Sequence, residues 1–283
     1  MIIAIAGKGW MAVRAARLLA ALIEVERLDA TIEVVSNRND TGQDSWLPSL
    51  VALATARGWR VHDTPAQANL GAGDIFLSLQ YDRIVRCADL GGADAYNLHF
   101  APLPRYRGSL TSSLTIRRGD TQTGVTLHRL VQEVDAGPII AARTFEVPEF
   151  YTAYDLYLAY HDYGFDLLKE NMRALLRGAV AATPQDDAAA TAFTRTAIDF
   201  NDIQLDDFDL DAERVRDWCR SLIFPPIQYP VYDGRLIRSC SVVDWDNGVS
   251  AAGTVLYKDP DQVVVKCRTG GVWLELLPLE QHS

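Results

Sequence analysis

Residues 1–35 read MIIAIAGKGWMAVRAARLLAALIEVERLDATIEVV, and their pattern indicates the fold class. An apolar run of strand length at residues 2–6 is followed by residues 11–26, where apolar side chains recur at helical spacing. A second apolar run at residues 32–35 predicts the next strand. The alternation continues as a helix at 48–57 and strands at 59–61, 74–79 and 95–99. Chains that alternate in this way build a mostly parallel sheet with helices on both faces.

The pattern changes after residue 100. Two strands, at 124–129 and 139–147, precede a long helix from Thr152 to Gly178, where Thr152 and Asp155 form a predicted capping box. A short helix from Asp211 then leads into alternating strands at 231–237, 253–257, 262–267 and 272–277. We therefore predict an α/β fold, with a mostly parallel Rossmann-like sheet followed by a small β-rich, OB-like module. The predicted segments are a catalytic domain at 1–190, a linker at 191–210 and the β-rich domain at 211–283.

Composition and charge restrict the classes of partner. The chain has 283 residues, is 48% hydrophobic and carries a formal net charge of −10, so it is predicted to fold but lacks an overall basic field. This argues against nucleic acid as the main partner. No apolar run reaches membrane-spanning length, and the short apolar N-terminus is expected to be a buried strand. The four cysteines are scattered without a CxxC pair, which favours reduced thiols and a cytoplasmic location.

The candidate chemistry lies at the end of the strand predicted at 95–99. Side chains two apart in a strand share a face, so Asn97 and His99 point the same way, near the sheet edge where ligands bind. Asp135 supplies a carboxylate in a Gly-Pro turn. An amide donor, a titratable base and an acid suit acyl transfer. The simpler alternative is three isolated polar residues in loops, but rigid loops at a strand end are where catalytic groups are positioned.

Three motifs carry a resemblance to a known family. They are the Asn97-x-His99 strand, the loop LPRYRG at 103–108, and the strand GVT at 124–126 leading to the Asp-x-Gly turn at 135–137. In this order they resemble the folate-dependent formyltransferases, the group that includes methionyl-tRNA formyltransferase and the nucleotide-sugar N-formyltransferases. The resemblance covers roughly the first 190 residues well and the C-terminal module more loosely. Gln185, after the long helix, also belongs to it.

The resemblance implies N10-formyltetrahydrofolate as co-substrate, an amine as acceptor and no metal. It makes Asn97, His99 and Asp135 the catalytic residues: Asn97 donates to the oxyanion, His99 takes a proton, and Asp135 orients the imidazole or assists the proton transfers. It further implies two sets of binding residues. The folate-binding set is Leu79, Gln80, Tyr81, Leu103, Arg107, Gly108 and Val134. The substrate-binding set is Lys8, Trp10 and Phe100, for which a surface lysine and simple packing of Phe100 are the alternatives.

The stretch TLHR at 126–129 is closer to the sugar-nucleotide branch than to the tRNA branch. The implied acceptor is a nucleotide-linked amino sugar, a 4-amino-4-deoxy sugar in our interpretation, used in lipopolysaccharide or other glycan biosynthesis. A homodimer is compatible with the resemblance. His128 is expected to be a hydrogen-bonded structural histidine.

Other functions remain open. Methionyl-tRNA formyltransferase is the nearer alternative, and a catalytically silent nucleotide-binding protein is a further one. A different class, an NAD(P)-dependent oxidoreductase, rests on the GxGxxA pattern at residues 7–12. The second strand ends without the acidic residue that would hold a ribose, which weakens this hypothesis.

Overall fold

The computed structural model describes residues 1–225, 227–245 and 248–278, so parts of the predicted 211–283 module lie outside the described residues. The chain divides into two compact units. The first comprises residues 1–109, 124–145 and 159–193, and the second comprises residues 110–123, 146–158 and 194–283. The second unit therefore takes two of its segments from the middle of the chain.

The first unit is built on a seven-stranded sheet. Its strands are β1 Ile2–Gly7, β2 Thr31–Ser36, β3 Arg60–His62, β4 Ile75–Leu79, β5 Asp94–His99, β7 Gln122–Arg129 and β8 Ile139–Glu146. Two short strands, β6 Arg107–Gly108 and β9 Ala192–Phe193, pair with each other in a separate two-stranded sheet. The order across the large sheet is β3-β2-β1-β4-β5-β7-β8. Strands β1 to β5 are parallel to their neighbours, and β7 runs antiparallel to β5. The predicted mostly parallel α/β sheet is confirmed.

The helices are α1 Gly9–Glu26, α2 Leu50–Arg57, α3 Thr111–Arg117, α4 Ala153–Leu176 and α5 Ala212–Leu222. The long helix α4 begins as predicted, because the Thr152 hydroxyl accepts from the Asp155 N–H and the Asp155 carboxylate accepts from the Thr152 N–H. Across the described part of the chain, none of these helices has both the length and the apolar character needed to cross a bilayer.

Helix α3 is a feature that the sequence does not predict. Its sequence, TSSLTIR, is rich in serine and β-branched residues, and no side chain caps its N-terminus. Its residues from Ser112 to Ile116 are buried, and the Arg117 Nε donates to the Ser221 hydroxyl of α5 at 3.0 Å. Packing within the second unit, rather than helix propensity, therefore stabilises α3.

The second unit carries the predicted C-terminal antiparallel β module. Its strands are β10 Val231–Tyr232, β11 Arg235–Val243, β12 Val255–Lys258, β13 Gln262–Lys266 and β14 Gly271–Leu276, in the order β10-β11-β14-β13-β12. The prediction of one strand at 231–237 is wrong. Asp233 and Gly234 both have positive φ, 49° and 74°, which makes a tight two-residue hairpin turn between β10 and β11.

Gly164 lies inside α4 where the helix meets the sheet of the first unit. A Cβ at this position would lie 3.1 Å from a Leu98 methyl, 3.2 Å from the Met11 methyl and 3.3 Å from the Phe100 ring. The glycine therefore permits the close approach of α4 to β5 and α1, which outweighs its low helix propensity.

Replacement of Gly164 by leucine is expected to lower the free energy of unfolding by about 1–3 kcal/mol, because the added side chain overpacks this contact. Urea unfolding followed by circular dichroism measures the change. Gly71→Ala is the matched control, since nothing lies within 4 Å of a Cβ at that position. Equal stability of the wild type and Gly164→Leu would contradict this account of the contact.

Candidate active site

Strands β5 and β7 place the first polar side chains of the site. In their antiparallel register Asn97 lies opposite His128 and His99 lies opposite Thr126. Residues directly opposite in neighbouring strands project on the same face of the sheet. The Thr126 hydroxyl donates to the Ala101 carbonyl at 2.7 Å and accepts from the Leu103 N–H at 3.2 Å, which fixes the loop that leaves β5.

Asp135 joins this cluster from the loop between β7 and β8. Its Oδ2 accepts from the Gly108 N–H at 2.8 Å and lies 3.5 Å from the His99 Nδ1. Its Oδ1 accepts from the Asn97 Nδ2 at 3.2 Å. The structure therefore brings Asn97, His99 and Asp135 together, at the carboxyl end of β5.

Hydrogen bonds to backbone carbonyls set the tautomers of the two histidines. The His99 Nε2 lies 2.8 Å from the Tyr106 carbonyl, which can only accept, so Nε2 carries the hydrogen and Nδ1 keeps the lone pair. The His128 Nδ1 faces the Arg129 carbonyl at 2.9 Å in the same way, so its Nε2 is the acceptor. Each neutral imidazole is thus held in one tautomer.

The charges of the site follow from its burial and contacts. Burial lowers the pKa of His99, and the Asp135 carboxylate and the Tyr106 carbonyl oppose this effect. Burial by itself would raise the pKa of Asp135, but interactions with His99 and His128 and the Gly108 N–H lower it to about 2. At neutral pH the site therefore contains a neutral imidazole beside an ionised carboxylate.

Asn97 has both amide hydrogens engaged. One points to the Asp135 Oδ1, and the other points to the His128 Nε2, 3.0 Å from Nδ2. A flipped amide would place its oxygen against two acceptors, so this orientation is the favourable one. The predicted oxyanion role of Asn97 consequently requires that one of these hydrogen bonds be exchanged for the reacting oxygen.

The residues predicted to bind folate lie at the end of β4, in β6 and in the loops after β4, β5 and β7. Leu79 and Leu103 are buried, while Val134, next to Asp135, is 51% exposed. Gln80 and Tyr81 follow β4, and Gln80 has a positive φ of 62°. The Arg107 guanidinium does not stand free, because it donates to Gln185 and to Asp187. Folate binding by these residues and by Gly108 remains a prediction.

Two of the three predicted substrate-binding residues are engaged within the protein. The Lys8 ammonium donates to the Asn39 carbonyl at 2.7 Å. Phe100 is only 3% exposed and stacks on Tyr160, which favours the packing alternative for this residue. Trp10 is half-buried, with its ring edge-on to His161. Substrate contact remains a prediction for all three.

The glycine-rich loop after β1 has a packing explanation. A Cβ on Gly7 would lie 2.0 Å from the Leu79 carbonyl oxygen, so the glycine permits the close approach of the ends of β1 and β4. At the end of β2, Asn37 donates to the Gln80 carbonyl at 2.9 Å, and Asp82 accepts from the Arg38 N–H at 3.1 Å. The close approach to Leu79 explains Gly7 without a dinucleotide.

Sequence reasoning gave no catalytic-site role to two residues that contact the cluster. His128 is predicted to be a hydrogen-bonded structural histidine, and one of its hydrogen bonds joins it directly to Asn97. The sequence signal for this position is that His128 lies two residues after Thr126 in one strand, so both side chains are on the same face of the sheet. Gln185 donates to the carbonyls of Asp135 and Gly137, both at 2.8 Å. Nothing local in the sequence predicts this contact, because the partners are 50 and 48 residues apart.

In residues 1–225, 227–245 and 248–278, no cluster of three or more His, Cys, Asp or Glu side chains could hold a metal ion.

Comparison with known proteins defines the class to which this fold and cluster belong. Residues 87–172, which include Asn97, His99 and Asp135, match the family model described as formyl transferase. The chain is also 29% identical over 208 residues to a methionyl-tRNA formyltransferase of Sorangium cellulosum, across 71% of this chain. The matched region spans 66% of that relative's length. The chain therefore contains a formyl transferase domain and is a homologue of methionyl-tRNA formyltransferase.

Two solved structures that are similar to this chain contain a folate together with a dTDP-sugar or dTDP. An N-formyltransferase from Helicobacter canadensis, in complex with folinic acid and dTDP-3-aminofucose, is 26% identical with a TM-score of 0.85, covering 98% of this chain and 100% of that one. WlaRD, a sugar 3N-formyl transferase solved with dTDP and 5-N-formyl-THF, has the same identity and TM-score, covering 98% of each chain. The predicted resemblance to the formyltransferases is confirmed, as is the similarity to their nucleotide-sugar branch.

Proposed function

We propose that this protein is an enzyme that transfers the formyl group of N10-formyltetrahydrofolate to the amine of a nucleotide-linked amino sugar. The observation that carries the proposal is the cluster of Asn97, His99 and Asp135 within a formyl transferase domain. Its support on the substrate side is the pair of similar structures, which hold a folate together with a dTDP-sugar or dTDP.

The residues of the cluster suit each step of the transfer. The amine nitrogen attacks the formyl carbon, and the carbonyl oxygen gains negative charge. The His99 Nδ1, which holds the lone pair, takes the proton that the attacking nitrogen loses. The imidazolium that results lies beside the Asp135 carboxylate, which stabilises it. Collapse of the tetrahedral intermediate breaks the bond between the formyl carbon and N10 of the folate. The leaving N10 receives the proton from the His99 imidazolium.

The oxyanion needs a donor, and Asn97 supplies one when its bond to Asp135 or to His128 is exchanged for the formyl oxygen. A single donor of this kind typically contributes about 10²–10³ in rate. Protonation of His99 favours the exchange at Asp135, since the carboxylate then gains an imidazolium partner in place of the amide.

The position of the reacting amine on the sugar is the finer part of the proposal. The sequence suggests a 4-amino-4-deoxy sugar, but both structures at 26% identity are described with 3-amino sugars or 3N transfer. A dTDP-linked 3-amino sugar is therefore the first substrate to test, and its 4-amino isomer is the comparison.

The test is direct incubation of the purified protein with N10-formyltetrahydrofolate and each dTDP-amino sugar. We expect the sugar nucleotide to gain the mass of one formyl group and tetrahydrofolate to form in equal amount. Mass spectrometry of the sugar and absorbance of the folate measure both products. Reactions without the donor are the control, and no formylation of any amino-sugar nucleotide would overturn the proposal.

A second candidate is formyl transfer to methionyl-tRNA, favoured by the similarity to the enzyme of Sorangium cellulosum. The net charge of −10 opposes it, because binding of a polyanion gains most from a basic field. Formylation of charged initiator tRNA in the same assay would establish this activity. Saturable binding of NADPH without binding of folate would instead favour the oxidoreductase.

The domain bounds and the cellular location of the protein are also part of the proposal. We propose residues 1–190 as the catalytic domain, which contains the cluster described above, 191–210 as a linker and 211–283 as a β-rich domain. Residues 110–123 and 146–158 of the proposed catalytic domain belong to the second compact unit. We also propose a cytoplasmic location, which fits four free cysteines, three of them buried.

A further inference from the structure

The loop that carries Asp135 has an unusual backbone. Asp135 has a φ of 52°, in the left-handed region that is unfavourable for most residues other than glycine. Its carboxylate must nevertheless stay within reach of His99, Asn97 and the Gly108 N–H at once. Such a conformation persists only where surrounding groups hold it.

Gln185 is the group that holds this backbone from outside the loop. Its Nε2 donates to the Asp135 carbonyl and to the Gly137 carbonyl, both at 2.8 Å. These two bonds span the residues on either side of Ala136, so they fix the turn itself. The side chain of Asp135 and the amide of Gln185 are thus connected through the main chain.

Arg107 fixes the orientation of the Gln185 amide. The guanidinium donates twice to the Gln185 Oε1, from Nε at 3.1 Å and from Nη2 at 2.9 Å. A flipped amide would face two donors with its own N–H groups and two carbonyls with its oxygen, so only one orientation is favourable. All four hydrogen-bonding positions of the amide are therefore used.

The dipeptide Arg107-Gly108 is linked to both the main chain and the side chain of Asp135. Arg107 acts on the Asp135 main chain through Gln185, and Gly108 donates its own N–H to the Asp135 carboxylate at 2.8 Å. The Arg107 N–H also donates to the Thr191 carbonyl at 2.8 Å, which joins β6 to the segment that carries Gln185.

We propose that Gln185, oriented by Arg107, is a positioning residue that holds Asp135 at the distance from His99 needed for proton transfer. The proposal rests on the proposed formyl transfer and deepens it. It assigns to Arg107 a role in positioning Asp135, beside the folate contact that the sequence predicts.

Two variants separate this role from plain structural support. Gln185→Leu removes all four hydrogen bonds, whereas Gln185→Glu keeps an acceptor for Arg107 but places an oxygen against the carbonyls of Asp135 and Gly137. We expect each variant to lower kcat by about 10–100-fold while the KM of both substrates changes less than about 2-fold, since misplacement of a catalytic group acts on the transition state. Gln67→Leu is the control, because Gln67 supports another turn of the same unit by accepting from the N–H groups of Asp63 and Thr64.

Thermal unfolding and circular dichroism at the assay temperature show whether each variant is folded. A folded Gln185→Glu or Gln185→Leu with the kcat of the wild type would overturn the proposal, and so would an equal fall of kcat in Gln67→Leu.

Nitrogen NMR of the histidine rings gives a readout that does not depend on activity. Asp135 favours protonation of His99, so we expect the His99 titration to move to lower pH in Gln185→Leu, which adds no charge, and not in Gln67→Leu. His128, which also faces Asp135, and the Tyr106 carbonyl are retained in each variant. If the wild type transfers no formyl group but the titration moves, only the proposed function fails. An unchanged titration overturns the positioning role itself.

Discussion

Replacement of Asp135 by asparagine is expected to lower kcat for formyl transfer by roughly 10³–10⁴-fold, by analogy with the loss of the carboxylate in other acid–base triads. The reason is that the imidazolium formed at His99 then has no anion beside its Nδ1. Asparagine keeps the size of the side chain and tolerates the left-handed backbone, so the variant tests the charge rather than the loop. Steady-state kinetics with saturating folate and sugar nucleotide measures the effect.

The same substitution has an expected effect on stability that depends on pH. The pKa of Asp135 is lowered from 3.8 to about 2 in the folded protein, so its ionised form stabilises the fold above about pH 4. This contribution is present above about pH 4 and is lost as the pH falls from about 4 toward 2. Chemical unfolding of the wild type and Asp135→Asn at pH 7 and at pH 3 should show the difference narrowing at the lower pH.

Asp162→Asn is the matched control for both measurements. Asp162 pairs with Arg14 at 2.9 Å, and its side chain is 78% exposed, so its loss should change stability by less than about 1 kcal/mol and leave kcat unchanged. A folded Asp135→Asn variant that retains most of the wild-type kcat would show that the carboxylate has no part in the reaction.

Replacement of His99 by glutamine is expected to lower kcat by roughly 10²–10⁴-fold, because the reaction loses its general base. A glutamine amide can still donate to the Tyr106 carbonyl, which limits the damage to the loop. In the wild type, log(kcat/KM) should fall on the acid side with a midpoint below 6.5, since burial lowers the pKa of His99 from that value and the base must be neutral to act. The acid limb that belongs to His99 should disappear in His99→Gln.

His62→Gln controls for the loss of a histidine in the same unit. His62 is a residue of β3 whose Nε2 lies 2.7 Å from the Glu33 carboxylate, and the cluster does not include it. It should keep both the kcat and the acid limb of the wild type. An acid limb that persists unchanged in His99→Gln would assign the base to another group.

Local pattern was sufficient for much of the first unit. Strands β1, β2, β4 and β5 lie within about one residue of their predicted bounds, since their apolar runs are flanked by clear turn residues. The capping box of α4 was also predicted, because all its partners lie within one turn of the chain. Helix α3 was missed because its sequence has low helix propensity. The turn at Asp233 was missed although Asp233-Gly234 is a typical hairpin dipeptide, because the alternation of residues 231–237 was interpreted as one continuous strand.

The residue types of the site follow from the sequence, and so does the shared face of Asn97 and His99, because a strand alternates its side chains with a period of two. The hydrogen bonds between those residues depend on how distant segments fold together. Pairing of β5 with β7 placed His128 beside Asn97, 31 residues away, and the loop after β7 placed Asp135 beside both Asn97 and His99. The contact of Gln185 with Asp135 joins positions 50 residues apart. Contacts of such length depend on the packing of whole elements, which periodicity in the chain does not encode.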